Sequence, residues 1–410
     1  MPGCKLNLTL LYLNRIRNNL ISNLFNNYET IISNIEFNQG VISMRNIKIF
    51  FFLTLVIIYS IPLNTYSYSQ ITKDKKENSK IKLRKGQVTT MDERKVANAF
   101  SSFGIEVLKK VARKNEESKN LMISPASIAI ALSIAMNGAC GETQEAFKRT
   151  LNLDDVELDE INNIFKELAE RIVTKSEKVE LRIANSIWSR KELKLKESFV
   201  EKNRKYYDSE IRSLDFSDPK SVEIINKWVD EKTNGKIPSI INAISPQDLI
   251  FIINAIYFNG KWEMQFDKSK TKDEIFHTFS GTNKKVPMMR IENKNFRYTE
   301  NDEFSGIFLP YADKEKIMVA LLPRNKKIDK FIEEMTWDKL KDWLSDFRMR
   351  KGTVIIPRFK FETFTRLKNI LSELGLKVAF RNSADFCGMF ENTYSNAFIT
   401  GVIHKTFIDV

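Results

Sequence analysis

The chain has few of the residues on which most enzymes depend. Among 410 residues there are two histidines, His277 and His404, and three cysteines. A Ser-His-Asp or Cys-His site would have to use one of these histidines, yet each lies within a strand-like segment rather than in a loop. None of the motifs GxSxG, HExxH, GxGxxG or GxxxxGK[ST] occurs. The sequence therefore predicts no enzyme, no catalytic residues and no cofactor.

Glycine and proline are also scarce, with 14 and 10 residues respectively. This scarcity argues against a disordered or low-complexity chain. No repeat period and no Gly/Ser linker divides the sequence, and its 42% hydrophobic and 29% charged residues are ordinary for a globular protein. We therefore expect one domain, covering residues 92–410, after an N-terminal leader.

The leader has the pattern of a secretory signal. A short basic segment, 44–48, precedes the apolar run 49–58, and Ser67 and Ser69 offer small residues for cleavage before Gln70. Because the run is too short for a comfortable membrane span, we predict a signal peptide at 44–69 and a secreted, extracellular protein without a membrane span. Residues 1–43 are then an over-extended N-terminus. The alternative is a signal anchor within a true N-terminus.

The three cysteines do not form a recognisable framework. Cys4 lies before the predicted start, which leaves Cys140 and Cys387. Two cysteines without CxxC spacing predict neither a disulfide framework nor a metal site. We expect both to be buried, reduced thiols.

Positive charge is concentrated just after the leader. The net charge is +13, and residues 70–91 form a basic segment that contains Lys73, Lys75, Lys76, Lys80, Lys82, Arg84 and Lys85. We interpret it as a solvated tether, with contact to a polyanion or a cell envelope as the alternative. No aromatic residues alternate with these charges, so no nucleic-acid partner is predicted.

Hydrophobic periodicity predicts an α+β protein. Ser124 and Pro125 are start signals for an almost wholly apolar helix, which we expect to end at Gly138 in a left-handed conformation. Further helices are predicted at 92–113, 142–151, 158–173, 328–347 and 365–375, and strands at 121–123, 179–188, 249–258, 316–323, 352–363 and 396–410. Helices dominate early and strands later, in mixed order, which is typical of the α+β class.

Two polar residues lie inside apolar strands. Asn254 is in the middle of a continuous apolar run, and His404 is surrounded by aromatic and β-branched residues. Buried polar groups need internal hydrogen-bond partners. These two residues are therefore candidates for a polar cluster inside a central sheet.

Several segments resemble conserved segments of the serpin family. They are residues 120–128 (NLMISPASI), 254–262 (NAIYFNGKW), 286–289 (VPMM), 308–311 (FLPY), 356–361 (IPRFKF), 374–376 (LGL) and 402–408 (VIHKTFI), in the family's order. The resemblance implies a serpin fold with three β-sheets and about nine helices. It also implies inhibition of serine proteases, and in some cases cysteine proteases, by a monomer. An exposed loop is cut, inserts as a new strand into the central sheet and drags the acylated protease with it.

The resemblance also assigns roles to individual residues. Ser124, Ser127, Asn254 and His404 match the shutter, a hydrogen-bonded cluster beneath the central strands, and Trp262 matches the breach, where the loop first enters. The simpler explanations are a helix cap for Ser124, satisfied core residues for Asn254 and His404, and packing for Trp262.

The sequence departs from the family at its end. In serpins the strand that carries this histidine leads into the reactive loop and the last C-terminal strands, but this sequence stops at Val410. We therefore expect a chain truncated before the reactive loop, in which no reactive bond can be named. The alternative is a non-inhibitory truncated serpin, acting as a binding module or a decayed copy.

Overall fold

The computed structural model describes residues 41–43, 91–114, 120–245, 248–278, 281–391 and 397–410. The predicted signal peptide lies outside these ranges, as does the basic tether up to residue 90. Of the predicted over-extended N-terminus, only Val41–Ser43 is described. None of the helices in these ranges is long and apolar enough to cross a membrane.

Nine α-helices occur in the described ranges. They are α1 (Met91–Arg113), α2 (Pro125–Met136), α3 (Gly141–Thr150), α4 (Leu158–Ile172), α5 (Glu197–Tyr207), α6 (Lys220–Lys232), α7 (Ile328–Glu333), α8 (Trp337–Ser345) and α9 (Lys368–Glu373).

The same ranges contain twelve strands. They are β1 (Val41–Ser43), β2 (Thr174–Lys175), β3 (Val179–Arg190), β4 (Ser209–Leu214), β5 (Ile250–Gly260), β6 (Lys272–His277), β7 (Asn283–Glu300), β8 (Phe304–Pro310), β9 (Ile317–Pro323), β10 (Arg348–Pro357), β11 (Lys360–Arg366) and β12 (Ile403–Asp409).

The described strands form three sheets. One has six strands in the order β1-β10-β7-β8-β9, with β6 also paired to β7. The second has four strands, β2-β3-β4, with β5 paired to the other edge of β3 along its whole length. The third consists of the antiparallel pair β11 and β12. Helices and largely antiparallel sheets together agree with the predicted α+β class.

Helix α2 lies in the middle of the largest hydrophobic core. Pro125 occupies its first turn, and the Ser124 hydroxyl accepts a hydrogen bond from the Ser127 N–H at 3.3 Å, as an N-cap should. Most of its apolar side chains are buried, and it packs against α1 and β5. A helix that is almost wholly apolar is stable only when most of its surface is covered in this way. The prediction from its composition is confirmed.

The predicted helix 328–347 is wrong, because the structure has two helices there. Thr336 breaks the periodic pattern by acting as the N-cap of α8, with its hydroxyl accepting a hydrogen bond from the Lys339 N–H at 3.2 Å. The periodicity on either side of Thr336 is helical, so only the cap marks the break.

The predicted strand 352–363 is also wrong, because the chain changes sheets within it. The Arg358 N–H donates to the carbonyl oxygen of Pro287 on β7 at 2.8 Å. The Phe359 N–H instead donates to the carbonyl oxygen of Val410, directly after β12, at 3.1 Å. Alternating hydrophobicity continues through this point and conceals the change. Strand β11 then extends to Arg366, which delays the following helix to Lys368, and residues 121–123 form no strand.

Gly138 does not have the predicted left-handed conformation. Asn137 ends α2 with right-handed dihedral angles, and Gly138 has no positive φ. Glycine is needed at position 138 because a larger residue would clash with Met389. A Cβ atom there would lie 2.8 Å from Met389 Cε and 2.9 Å from Met389 Cβ. The segment that follows α2 therefore packs closely against the loop that contains Met389.

Cys140 and Cys387 are joined, so the prediction of reduced, buried thiols is wrong. Cys140 and Cys387 form a disulfide with a Cα–Cα distance of 5.8 Å, across 247 residues of sequence. Cys140 is half-buried and Cys387 is exposed. Their spacing in the sequence gave no sign of the pairing, which depends on the tertiary fold.

We expect Gly138→Ala to lower the free energy of unfolding by about 1–3 kcal/mol, because its Cβ must displace the buried Met389 side chain. Gly401→Ala is the matched control, since no atom lies within 4 Å of a Cβ added there. Urea unfolding of both variants measures the difference. Equal stability of the two would contradict the close approach of these segments.

Candidate functional site

Two strand edges face each other across a cavity. In the described part of the chain, the backbone of β5 pairs as a strand only with β3, and that of β12 only with β11. A cavity of about 500 Å³ lies between them, lined by residues 250–254 of β5 and 403–405 of β12. We call this cavity the groove. The segments before β5 and β12 are joined by the hydrogen bond between Thr400 and Asp248. Near the other ends of the two strands, Phe258 of β5 and Ile408 of β12 pack in one hydrophobic cluster. The two strands therefore run in the same direction.

The floor of the groove is largely apolar. It is formed by α2 and by the loop after α9, with the side chains Ile128, Ala131, Leu132, Ala135, Phe386, Met389 and Phe390. Most of these side chains also belong to the main hydrophobic core. An apolar floor between two polar strand edges is suited to an extended peptide backbone with alternating side chains.

His404 lies in the β12 wall and is 6% exposed. Its Nε2 atom accepts a hydrogen bond from the Ser124 N–H at 2.9 Å, so the imidazole is neutral with its proton on Nδ1. Burial lowers the pKa of His404 from 6.5 to about 4. The residue is therefore an uncharged structural acceptor at neutral pH.

Asn254 lies in the opposite wall, on β5, and belongs to a chain of side-chain hydrogen bonds. Its Oδ1 atom accepts from the Ser127 hydroxyl, and its Nδ2 atom donates to Asn185 Oδ1 at 2.7 Å. Asn185 on β3 in turn donates to the Tyr207 carbonyl oxygen at 2.6 Å. A polar residue inside an apolar strand is satisfied in this way, as the sequence required.

The first turn of α2 bonds to both walls of the groove. The Ser124 N–H binds His404 in the β12 wall, and the Ser127 hydroxyl binds Asn254 in the β5 wall. The structure thus brings together all four residues that the resemblance placed in the shutter. Their predicted role in strand separation remains a prediction.

Hydrogen bonds at two further places join the elements around the groove. Thr363 on β11 and Thr406 on β12 both donate to the Met122 carbonyl oxygen, each at 3.2 Å. At the end of the groove where both strands start, the Thr400 hydroxyl donates to Asp248 Oδ1 at 2.8 Å. The second contact connects the segment before β12 to the segment before β5.

Trp262 lies away from the groove, just beyond the C-terminal end of β5. It stacks on Tyr311 with ring centroids 4.7 Å apart and meets the edge of Phe266 at 6.1 Å. Burial raises the pKa of Tyr311. The structure therefore gives Trp262 a packing role, and its role at the entry point of the loop remains a prediction.

Sequence reasoning missed several residues of the site. Asn185 lacks the signal that marked Asn254, because its strand alternates polar with apolar residues and Ser186 follows it directly. Thr363, Thr406, Asp248 and Thr400 carry no such signal, because threonine and aspartate are ordinary at strands and loops. Their contacts depend on which elements the fold brings together.

Comparison with known proteins decides the family. A sequence model described as "Serpin (serine protease inhibitor)" matches residues 98–410. The chain belongs to the serpin family. This confirms the predicted family and α+β serpin fold, and it makes the protein a member of a family of inhibitors rather than enzymes.

Relatives come from distant organisms. A serpin-like protein of Thermococcus kodakarensis is 33% identical over 333 residues, which cover 80% of this chain and 74% of that protein. Iripin-2 of Ixodes ricinus is 31% identical over 326 residues, covering 78% and 81% of the two chains. Among solved structures, the thermophilic serpin tengpin in its latent state has 32% identity and a TM-score of 0.70, covering 77% of this chain and 84% of that one.

We expect acid to destabilise this serpin through His404. Its pKa is depressed in the folded state, so the unfolded state binds more protons between about pH 6.5 and pH 4, and the free energy of unfolding falls as the pH falls through this range. The full effect is about 3 kcal/mol. Comparing urea unfolding at pH 7 and pH 4.5 in the parent and in His404→Gln isolates this contribution, because glutamine keeps an acceptor for Ser124 and does not titrate.

His277→Gln is the matched control, since His277 lies at the end of β6, away from the groove. The control variant should keep the parent's loss of stability at pH 4.5, whereas His404→Gln should lose less. Equal losses in all three proteins would contradict a buried, neutral His404.

Proposed function

We propose that this serpin is a secreted inhibitor of serine proteases that inserts an extended segment into the groove as a new strand. The observation that carries the proposal is the pair of unbonded edges of β5 and β12 on opposite sides of one cavity. Secretion is supported by the signal-like segment at 44–69.

The groove offers hydrogen bonds on both sides of an incoming strand. Because β5 and β12 run in the same direction, a single strand antiparallel to one is antiparallel to the other. Each new backbone hydrogen bond contributes about 1 kcal/mol net, and the apolar floor adds burial of alternate side chains. Insertion is therefore favourable and directional, which a mechanical trap requires.

The hydrogen bonds from α2 support the same function. Ser127 and Ser124 hold opposite walls through short, local contacts rather than through a wide apolar interface. Hydrogen bonds can exchange partners when the walls move apart, whereas buried apolar contacts are simply lost. By the resemblance, the inserting loop follows the strand that carries His404.

The test is formation of a covalent complex between the protein from its natural source, with its mass measured first, and a panel of serine proteases. We expect an adduct that survives detergent and boiling with at least one protease. Cleavage by proteases of the panel without an adduct to any of them would contradict this mechanism.

A groove variant separates insertion from simple cleavage. Ala131 is half-buried on α2 and lines the groove, so Ala131→Trp should obstruct the inserted strand and convert adduct into cleaved, released protein. Ala131→Ser is the matched control and should keep adduct formation. If the natural protein forms no adduct at all, the alternative applies, and the groove binds a partner segment without inhibition.

A further inference from the structure

The disulfide lies beside a carboxylate in a site built by two backbone segments. The sulfur atoms of Cys140 and Cys387 and a carboxylate oxygen of Asp385 all lie within 4.8 Å of one another. Two of these residues are exposed and Cys140 is half-buried. Thiolates with a carboxylate are a ligand set for thiophilic divalent cations such as Zn²⁺.

The two segments are held together by more than the disulfide. The Cys140 N–H donates to the Asp385 carbonyl oxygen at 2.9 Å, and the Gly388 N–H donates to the Gly138 carbonyl oxygen at 3.1 Å. The Asp385 N–H also donates to the Thr143 hydroxyl at 2.9 Å. These bonds do not involve sulfur, so the two cysteines stay opposite each other when the S–S bond is broken.

The carboxylate and the helix are placed to complete a metal site. Asp385 Oδ1 accepts a hydrogen bond from the Cys387 N–H at 2.9 Å, which fixes the side chain beside the sulfur atoms. Cys140 is the N-cap residue of α3 and its side chain makes no capping bond. The positive end of a helix dipole favours negatively charged ligand atoms there.

We propose that Cys140, Cys387 and Asp385 form a redox-gated site for one thiophilic divalent cation such as Zn²⁺. In the oxidised protein the disulfide occupies the site. A dithiol reductant supplies two electrons and two protons, becomes a disulfide itself and leaves two thiols. Binding of the cation then releases the two thiol protons, and water completes a four-coordinate site.

The geometry needs only small movements. Two ligands about 2.3 Å from a zinc ion in a tetrahedral site lie about 3.8 Å apart, a separation within the present spread of the three ligand atoms. Residues 385–390 include Phe386, Met389 and Phe390 of the groove floor. The floor is thus fastened by the disulfide in the oxidised protein and by the metal in the reduced protein.

The test uses the full chain with Cys4→Ser, so that only two thiols remain. After reduction by a dithiol, removal of the reductant and exclusion of oxygen, Co²⁺ is titrated and followed by its thiolate charge-transfer absorption. We expect one Co²⁺ per chain, displaced by Zn²⁺, and no binding by the oxidised protein. Zn²⁺ should raise the melting temperature of the reduced protein only.

Two variants locate the ligands. Asp385→Asn keeps an acceptor for the Cys387 N–H and should weaken Co²⁺ binding by about tenfold or more. Asp267→Asn is the matched control, because Asp267 Oδ1 accepts the Ser269 N–H in the same way but has no cysteine beside it. Binding by the reduced protein no stronger than by Cys140→Ser/Cys387→Ser, or unchanged by Asp385→Asn, would overturn the proposal. Neither outcome depends on protease inhibition.

Discussion

The separation of β5 from β12 is the constraint on which the rest of the structure depends. The two strands are parallel, and the backbone groups on their facing edges are not paired with another strand. Unpaired strand edges are normally covered or protected from further pairing. Here the walls are held apart over an apolar floor and tied to one helix end. The all-apolar composition of α2 follows from this position, because the helix carries the core beneath both walls.

The polar residues around the groove have a different role from those at a catalytic site. His404 is neutral and accepts a hydrogen bond from a backbone N–H. Asn254 donates a hydrogen bond to Asn185 on the neighbouring strand. The basic nitrogen of His404 is thus engaged by a backbone N–H and not by a hydroxyl or a thiol. These groups stabilise the observed arrangement of the two walls.

The sequence predicted the family and the fold class, because the family's motifs are local. The shutter role of Ser124, Ser127, Asn254 and His404 remains a prediction. Sequence reasoning failed where tertiary context decides. Thr336 splits a periodic helical pattern by capping, and the change of sheet at Arg358 occurs inside continuous alternation. The Cys140–Cys387 bond joins segments 247 residues apart. The sequence could not predict this pairing, because it depends on the close approach of the backbones at Gly138 and Gly388. Spacing rules for cysteine cannot detect such pairs.

Amide hydrogen exchange, resolved by residue, measures whether the facing edges of β5 and β12 are unpaired. From Asn185 to Ser189, β3 is paired with β4 on one side and with β5 on the other. Every amide in this part of β3 should therefore be protected from exchange. In residues 250–254 of β5, amides that face β3 should be protected, and the alternate amides that face the groove should exchange much faster. The same alternation is expected in β12. Uniform protection of both strands would show that their edges are already paired and would contradict the account.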